Sequence, residues 1–534
     1  MTFVTALLLL LLSLKSASLK VRAEILEALA HAQGLKDADP SLVLRRLAIF
    51  TCARAQFKLH AVQVGTRTRP RTRTLQLYRM SCSCKRIATT TQLLLLLATA
   101  SSAFNEQRVH RRREQVRDMF RFSFDSYMKF AFPLDELAST SCRGRGPDYA
   151  DASNLNINDV LGNYSVTLID SLDTLAVMGD FAGFGDAVRL VIAHVSFDND
   201  VVVQVFEATI RVLGGLLAAH LIIVDPDDAF RVAASVPGYK DELLSLSYDL
   251  GQRLLPAFRE SPTGIPFPRV NLRYGVPKTG RTDTNTAAAG SLSLEFGMLS
   301  RLTGDWAFET ASDRAIFALW RRRSKKTGLV GSNIDMKSGK WLDERSSLGA
   351  GIDSCVETLF KAYVLFGRAD LHRIFRAAMN SAKQHLRKRI VLTSGTTSSK
   401  LNTEFAEQNG MNTHFANGSN STWLTPPLYI NVNMNTGETA ANWIDAMSAA
   451  MPAVLFASGE PAAAARLSRI YETIWLKYGA LPERYNFISR APQADMAWYP
   501  LRPELAESVY FLWRGTRDPY YLIIGEVRKK IFLC

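Results

Sequence analysis

Four short segments of the chain place carboxylates where they could transfer protons. In Val201-Val-Val-Gln-Val-Phe-Glu207-Ala-Thr-Ile-Arg211 one acid sits in a strongly apolar run, with Arg211 one helical turn further on. A buried acid is costly unless paired. This pair therefore reads either as an ion pair within the helix or as a carboxyl whose proton affinity is set by its surroundings. In Leu348-Gly-Ala-Gly-Ile-Asp353-Ser-Cys-Val-Glu357 glycines lead into a helix, with Asp353 near its first turn and Glu357 one turn on. Gly479-Ala-Leu-Pro-Glu483 and Leu501-Arg502-Pro503-Glu504-Leu-Ala-Glu507 set the remaining acids beside proline turns. Pro503 suits a first helical position, and Glu504 and Glu507 fall near that first turn, where negative charge is favoured. Singly, each acid is accounted for by an ion pair, a cap or helix-end electrostatics. Several of them at helix starts in one helical domain would suit a cavity at one end of a helical barrel.

Other chemistries have no anchor. There is no Walker A loop, HExxH or GxSxG elbow. The glycine cluster at 179–185 follows no strand-like run and is weak ground for dinucleotide binding. The eight histidines are scattered and read as structural or surface residues. The formal charge is +14, but residues 1–103 hold 15 Lys/Arg against 4 Asp/Glu, a net +11, which leaves +3 for the rest. The basicity thus belongs to the leader, and nucleic-acid binding by the body loses its support. Of six cysteines, Cys142, Cys355 and Cys534 lie beyond the leader. No CxxC pair suggests zinc. One bridge or three free thiols are both open, because sequence alone gives no connectivity.

The segments that must position the acids are helical. Apolar residues recur at i, i+3, i+4 and i+7 through most of 111–132, 165–178, 201–223, 287–302, 306–323, 351–366, 370–387, 443–457, 461–478 and 503–513. Strand-like alternation is confined to short pieces such as 428–432. The pattern predicts an all-α architecture. The stretch 393–422, rich in Ser, Thr, Asn and Gly, predicts a long surface loop or insertion. It holds two glycosylation sequons, at Asn417 and Asn420, and a third is at Asn163. Apolar runs at 6–14 and 92–98 are each too short to span a bilayer well. From Met80 the chain reads as a basic n-region, a short apolar core and a small-residue cleavage site ending at Ala103. The expected organisation is a leader over 1–103 with an internal signal peptide at 80–103, outside the fold, then one domain over 104–534. That domain would enter the secretory pathway with no stable transmembrane span.

These segments, with Phe124-Asp-Ser-Tyr, Cys142-Arg-Gly-Arg-Gly, Asn156-Ile-Asn-Asp, Leu168-Ile-Asp-Ser-Leu-Asp and Gly264-Ile-Pro-Phe-Pro-Arg269-Val-Asn, resemble the class I α-1,2-mannosidases, glycoside hydrolase family 47. Within that family they are similar to the ER degradation-enhancing α-mannosidase-like branch. The resemblance covers about residues 110–530 and implies an (αα)7 barrel. It implies trimming of mannose, with inversion, from high-mannose N-glycans on misfolded glycoproteins in the endoplasmic reticulum lumen. By resemblance Glu207 matches the proton donor, Asp353 the catalytic Asp, Glu504 the base that activates water, and Glu483 a further active-site acid. Arg211, Arg269, Glu357, Arg502 and Glu507 fall in matched motifs as substrate-binding residues.

Two departures stand out. The family follows its catalytic Asp with Ser and two aromatics, whereas here Asp353 is followed by Ser354, Cys355 and Val356, so aromatic stacking surface is lost. The family also continues to a Thr that helps hold calcium. Beyond Cys534 that Thr has no counterpart, so the barrel is expected to be incomplete at its C-terminus and the metal site to lack its ligand in this chain. The alternative expectation is a glycan-binding adaptor that uses the same cavity without turnover. In an oxidising lumen Cys142 is expected to pair with a late cysteine, Cys534 or Cys355, and an ER oxidoreductase is a further expected partner.

Overall fold

The computed structural model describes residues 106–532 apart from 279, 390, 394–421 and 425–426. The leader, the sequons at Asn417 and Asn420, and Cys534 therefore lie outside the described residues. The longer helices run in chain order as α1 (Glu106–Phe130), α2 (Leu172–Met178), α3 (Phe181–His194), α4 (Val205–Ile223), α5 (Glu242–Leu254), α6 (Ser293–Thr303) and α7 (Ala307–Arg321). They continue as α8 (Asp353–Phe366), α9 (Ala369–His385), α10 (Met451–Ala457), α11 (Pro461–Tyr478), α12 (Glu504–Thr516) and α13 (Pro519–Phe532).

Consecutive helices pack as hairpins: α2 on α3, α4 on α5, α6 on α7, α8 on α9, α10 on α11 and α12 on α13. The first helix of each hairpin also packs on the first helix of the next, from α2 through α4, α6, α8 and α10 to α12. The first members thus form an inner layer and the second members an outer one, the architecture of an αα-barrel. At its edge Arg112 of α1 is ion-paired with Glu526 of α13.

The sequence explains the two layers. Helix α4 is apolar nearly all round, as a helix covered on both sides must be. It is long and apolar enough to cross a bilayer, yet its apolar stretch is 72% buried and it carries Glu207 and Arg211. Outer helices such as α9 keep one apolar stripe, with Leu371, Ile374, Phe375, Met379 and Ala382 buried. Helices stop where the chain supplies a left-handed residue: Gly367 (φ +70°) ends α8 and Gly479 (φ +80°) ends α11.

Two of the segments expected to be helical begin as strands instead. In 201–223 the β-branched run gives a strand, β1 (Val202–Gln204), paired antiparallel with β2 (Arg269–Asn271), and the helix starts only at Val205. In 443–457 β3 (Trp443–Asp445) pairs with β4 (Arg484–Asn486), and a 3₁₀ turn at Ala446–Ala450 precedes α10. One of these strands sits immediately before the helix that carries Glu207.

Candidate active site

Asp353 is the first residue of α8, delivered by a glycine turn. Gly351 has φ +91°, and a Cβ there would also run into Ser332. Asp353 is buried, and the Ser354 N–H donates to its Oδ1 at 2.8 Å. Burial, opposed by that bond and reinforced by the charges of Asp445, Glu357 and Glu504, pushes its carboxyl up to about 8. Glu504 is the first residue of α12, behind Pro503. Its Oε2 is buried with no hydrogen-bond partner. Burial, opposed by Arg502 and reinforced by Glu507 and Glu357, pushes Glu504 up to about 7.

One turn into each of these helices, Glu357 and Glu507 share a single cation. The buried Lys361 is ion-paired with Glu357 and lies 3.4 Å from Glu507. Burial raises the Glu507 carboxyl, against the pull of Lys361. Glu483, at the entry to β4, is gripped by Arg502 through two bonds of 2.7 and 2.6 Å, the bidentate fit of guanidinium to carboxylate. The structure thus brings Asp353, Glu357, Glu483, Arg502, Glu504 and Glu507 into mutual electrostatic reach.

Glu207 stands on the neighbouring stretch of the inner layer. It is the third residue of α4, and the next six, Ala208–Leu213, form a π-helical turn, a widening often found at functional sites. Arg211 donates to Glu207 Oε2 at 2.7 Å and also lies 3.8 Å from Asp170. The short helix Thr286–Gly290 packs on both the Glu207 turn and α8, and the Ala287 N–H bonds to the Gly351 carbonyl. It is therefore the structural link between Glu207 and Asp353.

Arg269 lies elsewhere. It is opposite Gln204 in the β1–β2 ladder and holds Asp159 with bonds of 2.6 and 2.8 Å. It lines a cavity of about 550 Å³ with Tyr149, Asp159, Asp200 and Lys278, and none of Glu207, Asp353, Glu357, Glu483, Glu504 and Glu507 lines that cavity. Asn163 is exposed, while the Ser165 of its sequon is buried and donates to the Pro133 carbonyl. Cys142 is exposed and free. Cys355 is buried and free, packed against Gly290. The expected bridge between these two is therefore not formed, because Cys355 points into the packed base of α8. Burial, then Asp353, pushes the Cys355 thiol up to about 12.

Two acids escaped the sequence reading. Glu295, in α6, is almost fully buried, with Oε2 unpartnered, and burial, against a small opposing effect of Lys361, pushes it up to about 8. An acid inside the apolar run Leu294-Glu295-Phe296 was the same signal that marked Glu207. Asp445 closes β3 and caps the turn after it, accepting from Ser448 N and Oγ, both at 3.0 Å. The signal available was the spacing Asp445-Ala-Met-Ser448, an N-cap pattern.

The model of glycosyl hydrolase family 47 matches residues 119–530. The chain is 42% identical over 425 residues to ER degradation-enhancing alpha-mannosidase-like protein 1 of Schizosaccharomyces pombe, covering 80% of this chain and 48% of that protein. It is 40% identical to alpha-mannosidase I MNS4 of Arabidopsis thaliana, covering 78% and 57%. The chain spans about half the length of these curated relatives. Among solved structures it resembles the alpha-1,2-mannosidase from Trichoderma reesei with a TM-score of 0.62 at 22% identity, covering 79% of this chain and 84% of that one. That likeness identifies the fold as the (αα)7 barrel. With a family match across most of its length, the chain belongs to glycosyl hydrolase family 47.

Proposed function

We propose that this chain is the catalytic part of an α-1,2-mannosidase-like glycoside hydrolase. It would act in the lumen of the endoplasmic reticulum on high-mannose N-glycans of misfolded glycoproteins and so mark them for degradation. The observation that carries the reading is the pair Asp353 and Glu504. Asp353 is buried and Glu504 half-buried at heads of inner helices, and burial pushes their carboxyls up to about 8 and about 7. Carboxyls tuned in this way are what proton transfer at neutral pH requires.

An inverting glycosidase needs one carboxyl to protonate the leaving oxygen and another to take a proton from the attacking water. Glu504 suits the base: its Oε2 faces inward without a partner, free to accept from water. Glu207 is the donor by family resemblance, held in place by Arg211. Asp353, protonated at neutral pH, can donate a hydrogen bond to a sugar hydroxyl and keep negative charge from accumulating beside Glu504. Arg211, Glu357, Arg502, Glu507 and, at a distance, Arg269 are the substrate-binding candidates. An ER oxidoreductase would meet the chain at Cys142, which is exposed and free.

The family is generally calcium-dependent. Calcium takes about six to eight oxygen ligands. Among the described residues no group of three or more His, Cys, Asp or Glu side chains is placed to hold a metal ion. The crowded acids are instead paired with Lys361, Arg502 or Arg211, or raised by burial, so the described residues do not form a calcium cage.

The test is mannose release from free high-mannose glycan by the full-length protein. Glu207→Gln and Glu504→Gln should each lower kcat by at least about 10²-fold while leaving glycan binding largely intact. Wild-type release by Glu207→Gln would sink the hydrolase reading. One feature favours the adaptor alternative: Cys355 and Val356 stand beside Asp353 where the family carries aromatics. Tight glycan binding by wild-type protein with no release would establish it.

A further inference from the structure

Asp445 lies on none of the helices that carry the other acids, yet it touches what holds three of them. Its Oδ1 accepts from Ser448 N and Ser448 Oγ, both at 3.0 Å, and from Ala350 N at 3.3 Å. Ala350 belongs to the glycine turn that delivers Asp353. A Cβ on Gly349 would overlap both oxygens of the Asp445 carboxylate and the Ser448 hydroxyl, so only glycine permits this approach. On the other side, β3 pairs with β4, Asp445 is opposite Arg484, and the Ala446 N–H donates to the Glu483 carbonyl at 3.0 Å. The turn that Asp445 caps packs in turn on α12, where the Ser508 hydroxyl donates to the Ala449 carbonyl at 2.6 Å.

We infer that Asp445 is the positioning residue of this site, fastening the turn ahead of Asp353 to the strand of Glu483 and presenting its own charge to Asp353. The inference rests on the functional reading above and adds to it a residue that touches no substrate. Burial raises the Asp445 carboxyl, against the pull of its bonds from Ser448 and Ala350. The titratable groups around Asp353 are Asp445 across the turn, Glu504 on α12, and Cys355 and Glu357 on its own helix. Those around Asp445 are Asp353, Glu483, Arg502 and, on α11, Tyr471. Lys361 reaches only as far as Glu357 and Glu507 in this group. Once ionised, the Asp445 carboxylate helps keep the proton on Asp353, as like charges do at close range.

Asp445→Asn separates the two roles, because all three bonds end on Oδ1 and an amide oxygen can accept the same three. Asp445→Asn should keep KM within about twofold and move the limb of the pH–rate profile governed by Asp353 to lower pH, by about one unit. Gly349→Ala, which pushes the carboxylate away, should lower kcat at least tenfold with little change in KM. An unmoved limb in Asp445→Asn overturns the inference, and so does wild-type kcat in a folded Gly349→Ala protein. If Gly349→Ala does not fold, Asp445→Asn alone decides. If wild-type protein releases no mannose at any pH, it is the functional reading that fails. The inference is then decided by stability. The fall in Tm with rising pH that Asp353→Asn abolishes should occur at lower pH in Asp445→Asn, and an unchanged fall overturns it.

Discussion

A carboxyl that must be buried to work is a carboxyl the fold would rather not contain. Asp353 shows this most clearly, because its proton affinity rises from the ordinary 3.8 to about 8. Between those values the folded state holds a proton that the unfolded chain gives up, so ionising Asp353 costs stability as pH rises. Asp353→Asn should therefore abolish trimming and raise Tm at pH 8, with a smaller gain at pH 5. A calorimetric scan that shows no pH-dependent gain would contradict the assigned environment. Lys361 presents the opposite case. It is the single cation shared by Glu357 and Glu507, and removing it leaves two buried acids unpaired. Lys361→Met should destabilise by about 3–5 kcal/mol in denaturant titration, and much of that loss should be recovered when Glu357→Gln and Glu507→Gln are added. That Glu207, Asp353 and Glu504 were candidates was legible in their apolar or glycine-rich settings. That Lys361 unites Glu357 with Glu507 was not, because nothing in a local window reveals a partner on another helix.

The heads of α8 and α12 are set by turns rather than by helical propensity. Gly351 allows the chain to enter α8 at φ +91°, with Ser332 against it. Gly351→Ala should cost about 1–3 kcal/mol and reduce kcat as well, since the strain is relieved by moving Asp353; urea unfolding and steady-state kinetics would measure both. The glycines before Asp353 and the proline before Glu504 made these helix starts readable in the sequence. The strands before α4 and α10 were not readable, because Val201-Val-Val and Trp443-Ile continue the apolar pattern of the helices that follow. What makes them strands is pairing with Arg269–Asn271 and Arg484–Asn486, and such partners are chosen by tertiary context. For the same reason Asp445, at the end of one such strand, was passed over.

Across the whole molecule the raised acids act together. Asp353, Glu295, Glu504 and Asp173 stand at about 8, 8, 7 and 6, all above their unfolded values. Each binds more protons folded than unfolded, so the fold should be more stable near pH 5.5 than near pH 8. Exposed acids held low by hydrogen bonds, such as Asp335 at about 2, set the other limit, losing their contribution only as pH falls below about 4. Scanning calorimetry from pH 4 to 9 should give a Tm maximum on the acid side of neutrality, and a maximum at pH 8 or above would refute the assignment. The same architecture has a consequence in time. The hairpins follow one another in chain order, and the site draws on the second for Glu207, the fourth for Asp353 and the last described one for Glu504. A chain under synthesis thus presents Glu207 long before Glu504. Until the later hairpins dock, Asp353 lacks the full burial that raises its proton affinity in the finished fold. On the proposed reading, a chain whose last described hairpin has not yet docked would be unable to trim mannose.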